Sequence, residues 1–96
     1  MADAIHANGS YAYLQISALG RVSYPEITHA AGFPYVSSSP IQIKHRSEAP
    51  VELSESEVDR YVELYAQAAR NGVEKAGFDG VEIHACKCVL FTVLPC

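Results

Sequence analysis

The hydrophobic pattern changes period twice along this chain. Residues 13–17, Tyr-Leu-Gln-Ile-Ser, alternate aliphatic with aromatic or polar positions. That period of two predicts a strand with Leu14 and Ile16 on one face and Tyr13, Gln15 and Ser17 on the other. From about 54 to 76 the period lengthens. Val58, Tyr61, Val62, Tyr65, Ala69, Gly72, Val73 and Ala76 recur at spacings of three and four, which predicts a helix with one apolar face. Ser54 and Glu57 stand at its start in capping-box spacing, and Gly77 stands at its end. Residues 80–84, Gly-Val-Glu-Ile-His, return to alternation, with Val81 and Ile83 on one face and Glu82 and His84 on the other.

Between these elements the chain reads as follows. Asp3 to Ala7 is the last turn of a helix stopped by Asn8-Gly9. Residues 17–50, with their many Gly, Pro and Ser, read as a long loop with a short extended piece at 41–44. The order is helix tail, strand, long loop, helix, strand. Two strands joined through a helix form a parallel βαβ unit of an α/β fold. The polar faces carrying Gln15 and Glu82 require a lining that satisfies amides and carboxylates. A barrel interior meets that need, and so does a buried polar network in an open sheet. Gln15 and His84 fall near the carboxyl ends of their strands, where parallel α/β folds bind ligands.

Composition narrows the function classes. The 96 residues suffice for one domain, and 49% hydrophobic with 19% charged residues is ordinary for a globular protein. A net charge of -4 leaves no basic footprint for nucleic acid. Lys44-His45-Arg46, the one basic cluster, is expected in a solvated loop. The first ten residues lack the pattern of a secretory leader, and the run Val89 to Leu94 is too short to span a bilayer. Cys86, Cys88 and Cys96 all lie in the last eleven residues and form no disulfide framework. With His84 they match no familiar zinc spacing, so no metal is expected. These features predict a cytoplasmic protein without nucleic-acid or membrane partners.

Three stretches, “DAIHANGSYAYLQISALGR”, “PYVSSSPIQIK” and “ELSESEVDRYVELYAQAARNGVEKAGFDGVEIH”, resemble the old yellow enzyme family of FMN-dependent NADPH dehydrogenases and ene-reductases. The resemblance runs from about Asp3 to His84. It implies a partial (β/α)8 TIM barrel of about two strands with a connecting long loop and helix, from a fold that typically needs ~250 residues. It also implies FMN as cofactor, NADPH as reductant and a small-molecule activated alkene as substrate, reduced by hydride from the flavin. Two residues carry over. Gln15 matches the strand-end glutamine whose amide hydrogen-bonds the flavin pyrimidine edge. His84 matches the first member of a His-x-x-Asn/His pair, which donates to the substrate oxygen and lies close to the flavin, so the resemblance implies that His84 is both catalytic and cofactor-binding. Gly20-Arg21 matches a loop feature with no catalytic role.

The chain also departs from the family pattern. Ser17 stands where a bulky residue, often tryptophan, follows the glutamine by two positions. Lys87 stands where the second member of the histidine pair belongs. Cys88-Val89-Leu90 replaces a GYL-like stretch that often supplies a tyrosine proton donor. Residues 1–84 therefore read as a barrel segment, and 85–96 as a tail outside the family pattern, disordered or aberrant. Cys-Lys-Cys can be encoded TGT-AAG-TGT, which contains the splice-donor hexamer GTAAGT, so the tail reads as translation into an unspliced intron. The expected function is that of an FMN-dependent oxidoreductase segment, inactive alone. The alternative is a non-catalytic fragment that acts through association with another chain.

Overall fold

The computed structural model describes residues 1–85. In chain order the elements are α1 (Ala2–His6), β1 (Tyr13–Ile16), α2 (Pro25–Ala30), β2 (Val36–Ser37), β3 (Val51–Glu52), α3 (Glu55–Arg70) and β4 (Gly80–Ile83). A 3-10 turn covers Gly20–Val22 and a wide π-turn covers Asn71–Lys75. The chain divides into two compact units, one of residues 1–16 with 59–84 and one built on residues 17–58.

The first unit holds the predicted βαβ arrangement. β1 and β4 pair in parallel, with Tyr13, Leu14, Gln15 and Ile16 opposite Gly80, Val81, Glu82 and Ile83. Gly9 takes the left-handed conformation after α1, at φ 73°, as Asn8-Gly9 predicted. Leu14 and Ile16 are half-buried while Tyr13 and Gln15 are exposed, so the alternation read from sequence holds in β1; in β4 Val81 is half-buried but Ile83, like Glu82, is exposed. Ala2 and Ala12 are the buried apolar side chains of this unit.

Gly72 is buried, and it explains how the helical segment meets the sheet. A Cβ there would lie 2.8 Å from Leu14 Cδ2 and 3.6 Å from Val81 Cγ1, so a bare backbone lets the layers approach closely. The helical segment is not regular to residue 76. After Arg70 it widens, with the Ala76 N–H donating to Asn71 O at 3.0 Å, and it is capped where the Phe78 N–H donates to Gly72 O at 3.1 Å. Such π-turns accommodate one extra residue per turn, and this one coincides with the contact at Gly72. Gly77, at φ 73°, then ends it.

The predicted apolar stripe of α3 is only partly covered. Tyr61, Tyr65, Ala68 and Ala69 are half-buried, whereas Val58, Val62 and Val73 are exposed. Adjacent strands lie about 5 Å apart and a helix with its side chains is about 10 Å wide. Two strands therefore shield one line of the helix and leave its flanks open.

The second unit replaces most of the expected loop with ordered structure. Pro25 opens α2 at its first turn, where its missing N–H costs nothing. Gly32, at φ 78°, closes the turn after it. β2 and β3 pair in parallel, Val36 with Val51 and Ser37 with Glu52. Residues 41–44 form no strand. Gly20, Arg21, Pro25, Tyr35, Ser37 and Pro50 are buried in this unit. The Tyr35 hydroxyl donates to the Arg21 carbonyl at 2.6 Å.

Within the basic cluster, Lys44 and His45 are exposed as expected, but Arg46 is not merely solvated. Its Nε donates to the Ser23 carbonyl at 2.8 Å, and its guanidinium lies 4.1 Å from the Tyr24 ring centroid. At the helix start, the Ser54 N–H donates to Glu57 Oε2 at 2.8 Å and the Glu57 N–H reaches Ser54 Oγ at 3.4 Å, the reciprocal cap the sequence predicted. The Ser54 hydroxyl also donates to Glu57 Oε2, at 2.7 Å, and this bond, followed by that from the Ser54 N–H, holds the Glu57 carboxyl below its usual range.

Candidate active site

The carboxyl ends of β1 and β4 bring the two sequence-predicted site residues onto adjacent parallel strands. Gln15 stands opposite Glu82, and paired residues of neighbouring strands project to one face. Its Nε2 donates to Glu82 Oε2 at 3.1 Å. One step further, the His84 N–H donates to the Ile16 carbonyl at 2.9 Å, which carries the ladder beyond the last residue of β4. Strand parity assigns His84 to the face of Glu82. Gln15 and Glu82 are exposed and His84 is half-buried, so this polar face is open and its hydrogen-bonding atoms are accessible.

A second polar cluster sits at the opposite ends of the same strands. The Ala12 N–H donates to Asp79 Oδ2 at 2.7 Å, and the Asp79 N–H donates back to the Ala12 carbonyl at 2.9 Å. His6 Nε2 meets the same carboxylate oxygen at 2.8 Å. Ala12 and Asp79 immediately precede β1 and β4. Their reciprocal bonds therefore fix the register that places Gln15 against Glu82. An aspartate directly before a predicted strand was the available signal.

The hydrogen bond from the Ala12 backbone, followed by that from His6, holds the Asp79 carboxyl below its ordinary value. A carboxyl with a depressed folded pKa adds stability that is complete above the unfolded value of about 3.9 and is lost as pH falls through the lower folded value. Stability of the first unit should therefore decline on acidification below about pH 4, and Asp79→Asn should flatten that decline. Urea titrations at stepped pH check this. An Asp79→Asn chain with an unchanged acid slope would assign the loss to other carboxylates.

The residues present suit the pyrimidine edge of a flavin. With one Nε2 hydrogen committed to Glu82, Gln15 keeps a second N–H and its carbonyl oxygen, an adjacent donor and acceptor on an exposed face. Among the described residues, no group of three or more His, Cys, Asp or Glu side chains is placed to hold a metal ion. Nor is any helix among them long and apolar enough to cross a membrane. Lys87, the three cysteines and the rest of the tail from residue 86 lie outside the described residues.

Parallel strands, a crossover helix and a polar carboxyl-end face fit a segment of the (β/α)8 barrel that the family resemblance implied. Residues 1–92 match the sequence model of the NADH:flavin oxidoreductase / NADH oxidase family, and the chain belongs to that family. It is 49% identical over 82 residues to the NADP-dependent oxidoreductase lnbE of Aspergillus flavus, covering 85% of this chain and 22% of that protein. It is 50% identical over 84 residues to the chanoclavine-I aldehyde reductase fgaOx3 of Penicillium roqueforti, covering 86% and 22%. To the probable inactive reductase easA of Epichloe festucae var. lolii it is 42% identical over 97 residues, covering 98% and 26%. The old yellow enzyme from Trypanosoma cruzi matches the fold with a TM-score of 0.83 at 30% identity, over 93% of this chain and 30% of that one. The chain thus spans about a quarter of the length of the curated relatives it matches.

Proposed function

We propose that this chain carries one edge of an FMN-dependent, NADPH-reduced site for activated alkenes, and that the 96-residue polypeptide does not perform the reaction by itself. The observation that supports this most is the common polar face of Gln15, Glu82 and His84 at the carboxyl ends of two parallel strands. In this reading Gln15 holds the flavin pyrimidine edge through its amide donor and acceptor. FMN, when bound, supplies the hydride. His84 donates a hydrogen bond to the substrate oxygen, on which negative charge builds as the alkene is reduced, so it stabilises the transition state more than the ground state. Both groups lie on a rigid ladder rather than a free loop, which favours fixed orientation.

The open face argues against autonomous activity. Tyr13 is 67% exposed and Ile83 55% exposed, and β1 and β4 form a sheet of two strands, each with a free edge among the described residues. A site this open neither excludes water nor encloses a planar cofactor. The polypeptide incubated with FMN and gel-filtered should therefore elute without stoichiometric flavin absorbance. A chimera in which residues 1–84 replace the matching segment of the Trypanosoma cruzi old yellow enzyme should elute yellow and reduce an activated alkene with NADPH. A folded, colourless chimera would overturn the proposed role of the segment. The same exposed edges favour a second reading, a non-catalytic fragment that associates with another chain. Stable co-elution of the polypeptide with a complete family member would support it.

A further inference from the structure

Glu82 lies beside the proposed flavin contact but has no part in the chemistry described so far. We infer that Glu82 is a positioning residue that fixes which way the Gln15 amide faces. This inference rests on the proposed role of Gln15.

A glutamine amide has two nearly isosteric flip states, one presenting NH2 and the other presenting oxygen at a given point. A carboxylate only accepts hydrogen bonds. Glu82 Oε2, 3.1 Å from Gln15 Nε2, therefore admits the state with NH2 toward it and repels the other, which would set two oxygens together. The remaining N–H and Oε1 then keep fixed places on the open face. That pattern selects a ligand edge of the imide type, an N–H beside a carbonyl, and disfavours an edge of reversed polarity. The register supplies the geometry. Gln15 and Glu82 are directly opposed on parallel strands, so their side chains meet without a loop between them. Strand-borne partners of this kind hold a site more closely than loop-borne ones.

Glu82→Gln and Glu82→Ala separate this role from simple packing. In Glu82→Gln the new amide can accept from Gln15 Nε2 or donate to Gln15 Oε1, so both flip states are allowed. An unbiased flip halves the competent population, and FMN affinity should fall about twofold. Glu82→Ala removes the partner altogether, and the side-chain ordering lost should weaken FMN about three- to tenfold. The first readout needs no cofactor. In the intact 96-residue chain, the Nε2 proton of Gln15 bonded to Glu82 should resonate downfield of its position in a free glutamine amide and be protected from exchange with water. Both signatures should collapse in Glu82→Ala, while circular dichroism confirms the fold.

The second readout is the FMN dissociation constant of the chimera carrying each variant, with Gln15→Ala as reference. Collapse of the amide signature together with weakened FMN binding supports the inference. Nε2 protons at free-amide positions and unprotected from exchange in the unsubstituted chain overturn it and leave the flavin reading intact. FMN affinity that falls in Gln15→Ala but not in Glu82→Ala also overturns it. FMN affinity unchanged in Gln15→Ala overturns the flavin reading beneath it, and the inference with it.

Discussion

Tyr35→Ala should unfold the second unit. Tyr35 is 2% exposed, and burial pushes its phenol pKa upward. Its hydroxyl donates to the Arg21 carbonyl at 2.6 Å, and its own carbonyl accepts the Val51 N–H at 2.9 Å, tying the start of β2 to β3. Removing the ring deletes a buried aromatic, a change that costs about 3–5 kcal/mol in folded cores. It also strips the Arg21 carbonyl of this donor, for about 1–3 kcal/mol more if no water replaces it. A small domain has only about 5–15 kcal/mol in total, so the substitution consumes most of the margin. Tyr35→Phe keeps the ring and loses only the hydrogen bond, so it should cost about 1–3 kcal/mol. Urea denaturation followed by circular dichroism ranks the three chains. Equal midpoints for Tyr35→Ala and Tyr35→Phe would show that the ring does not anchor the unit.

That anchor was invisible in the sequence, and the reason is instructive. Residues 17–50 carry prolines and glycines that read as breakers, yet Pro25 occupies the first turn of α2 and Gly32 closes it. A six-residue helix is too short for periodicity to show, and strands of two residues show no alternation at all. Their stability comes from tertiary groups such as Tyr35 and Arg46, whose partners lie 14 and 23 residues away. By contrast α3 was legible, because its cap and its period are written locally in Ser54, Glu57 and the three-four spacing. Its stripe was over-read, because the sequence does not state how wide a sheet the helix will meet.

The site divides along the same line. The parity of β1 and β4 placed Gln15, Glu82 and His84 on polar faces, and the structure adds the parallel register that sets Gln15 against Glu82. Register itself is not a local property. It is set by Asp79 and Ala12, 67 residues apart, and a slip of one residue would turn every side chain of a strand to the other face. The family resemblance supplied the missing long-range information, because its motifs record which residues the complete fold brings together.

His84→Ala should be the largest functional loss. In the chimera carrying residues 1–84, the proposed donor to the substrate oxygen disappears while the ladder bond from the His84 backbone N–H to Ile16 O can remain. Removing one donor from a developing oxyanion typically lowers kcat by about 10²–10³. A group that acts only in the transition state lowers kcat and kcat/KM together. FMN content should change little, since Gln15 and the host barrel still hold the flavin. Gln15→Ala should show the converse, weakened FMN binding with smaller change in turnover of the loaded fraction. His84→Asn, which keeps an N–H donor, should recover part of the rate where His84→Ala does not. A His84→Ala chimera with full flavin content and undiminished turnover would remove the histidine from the chemistry and leave it as a strand-end residue that merely extends the ladder.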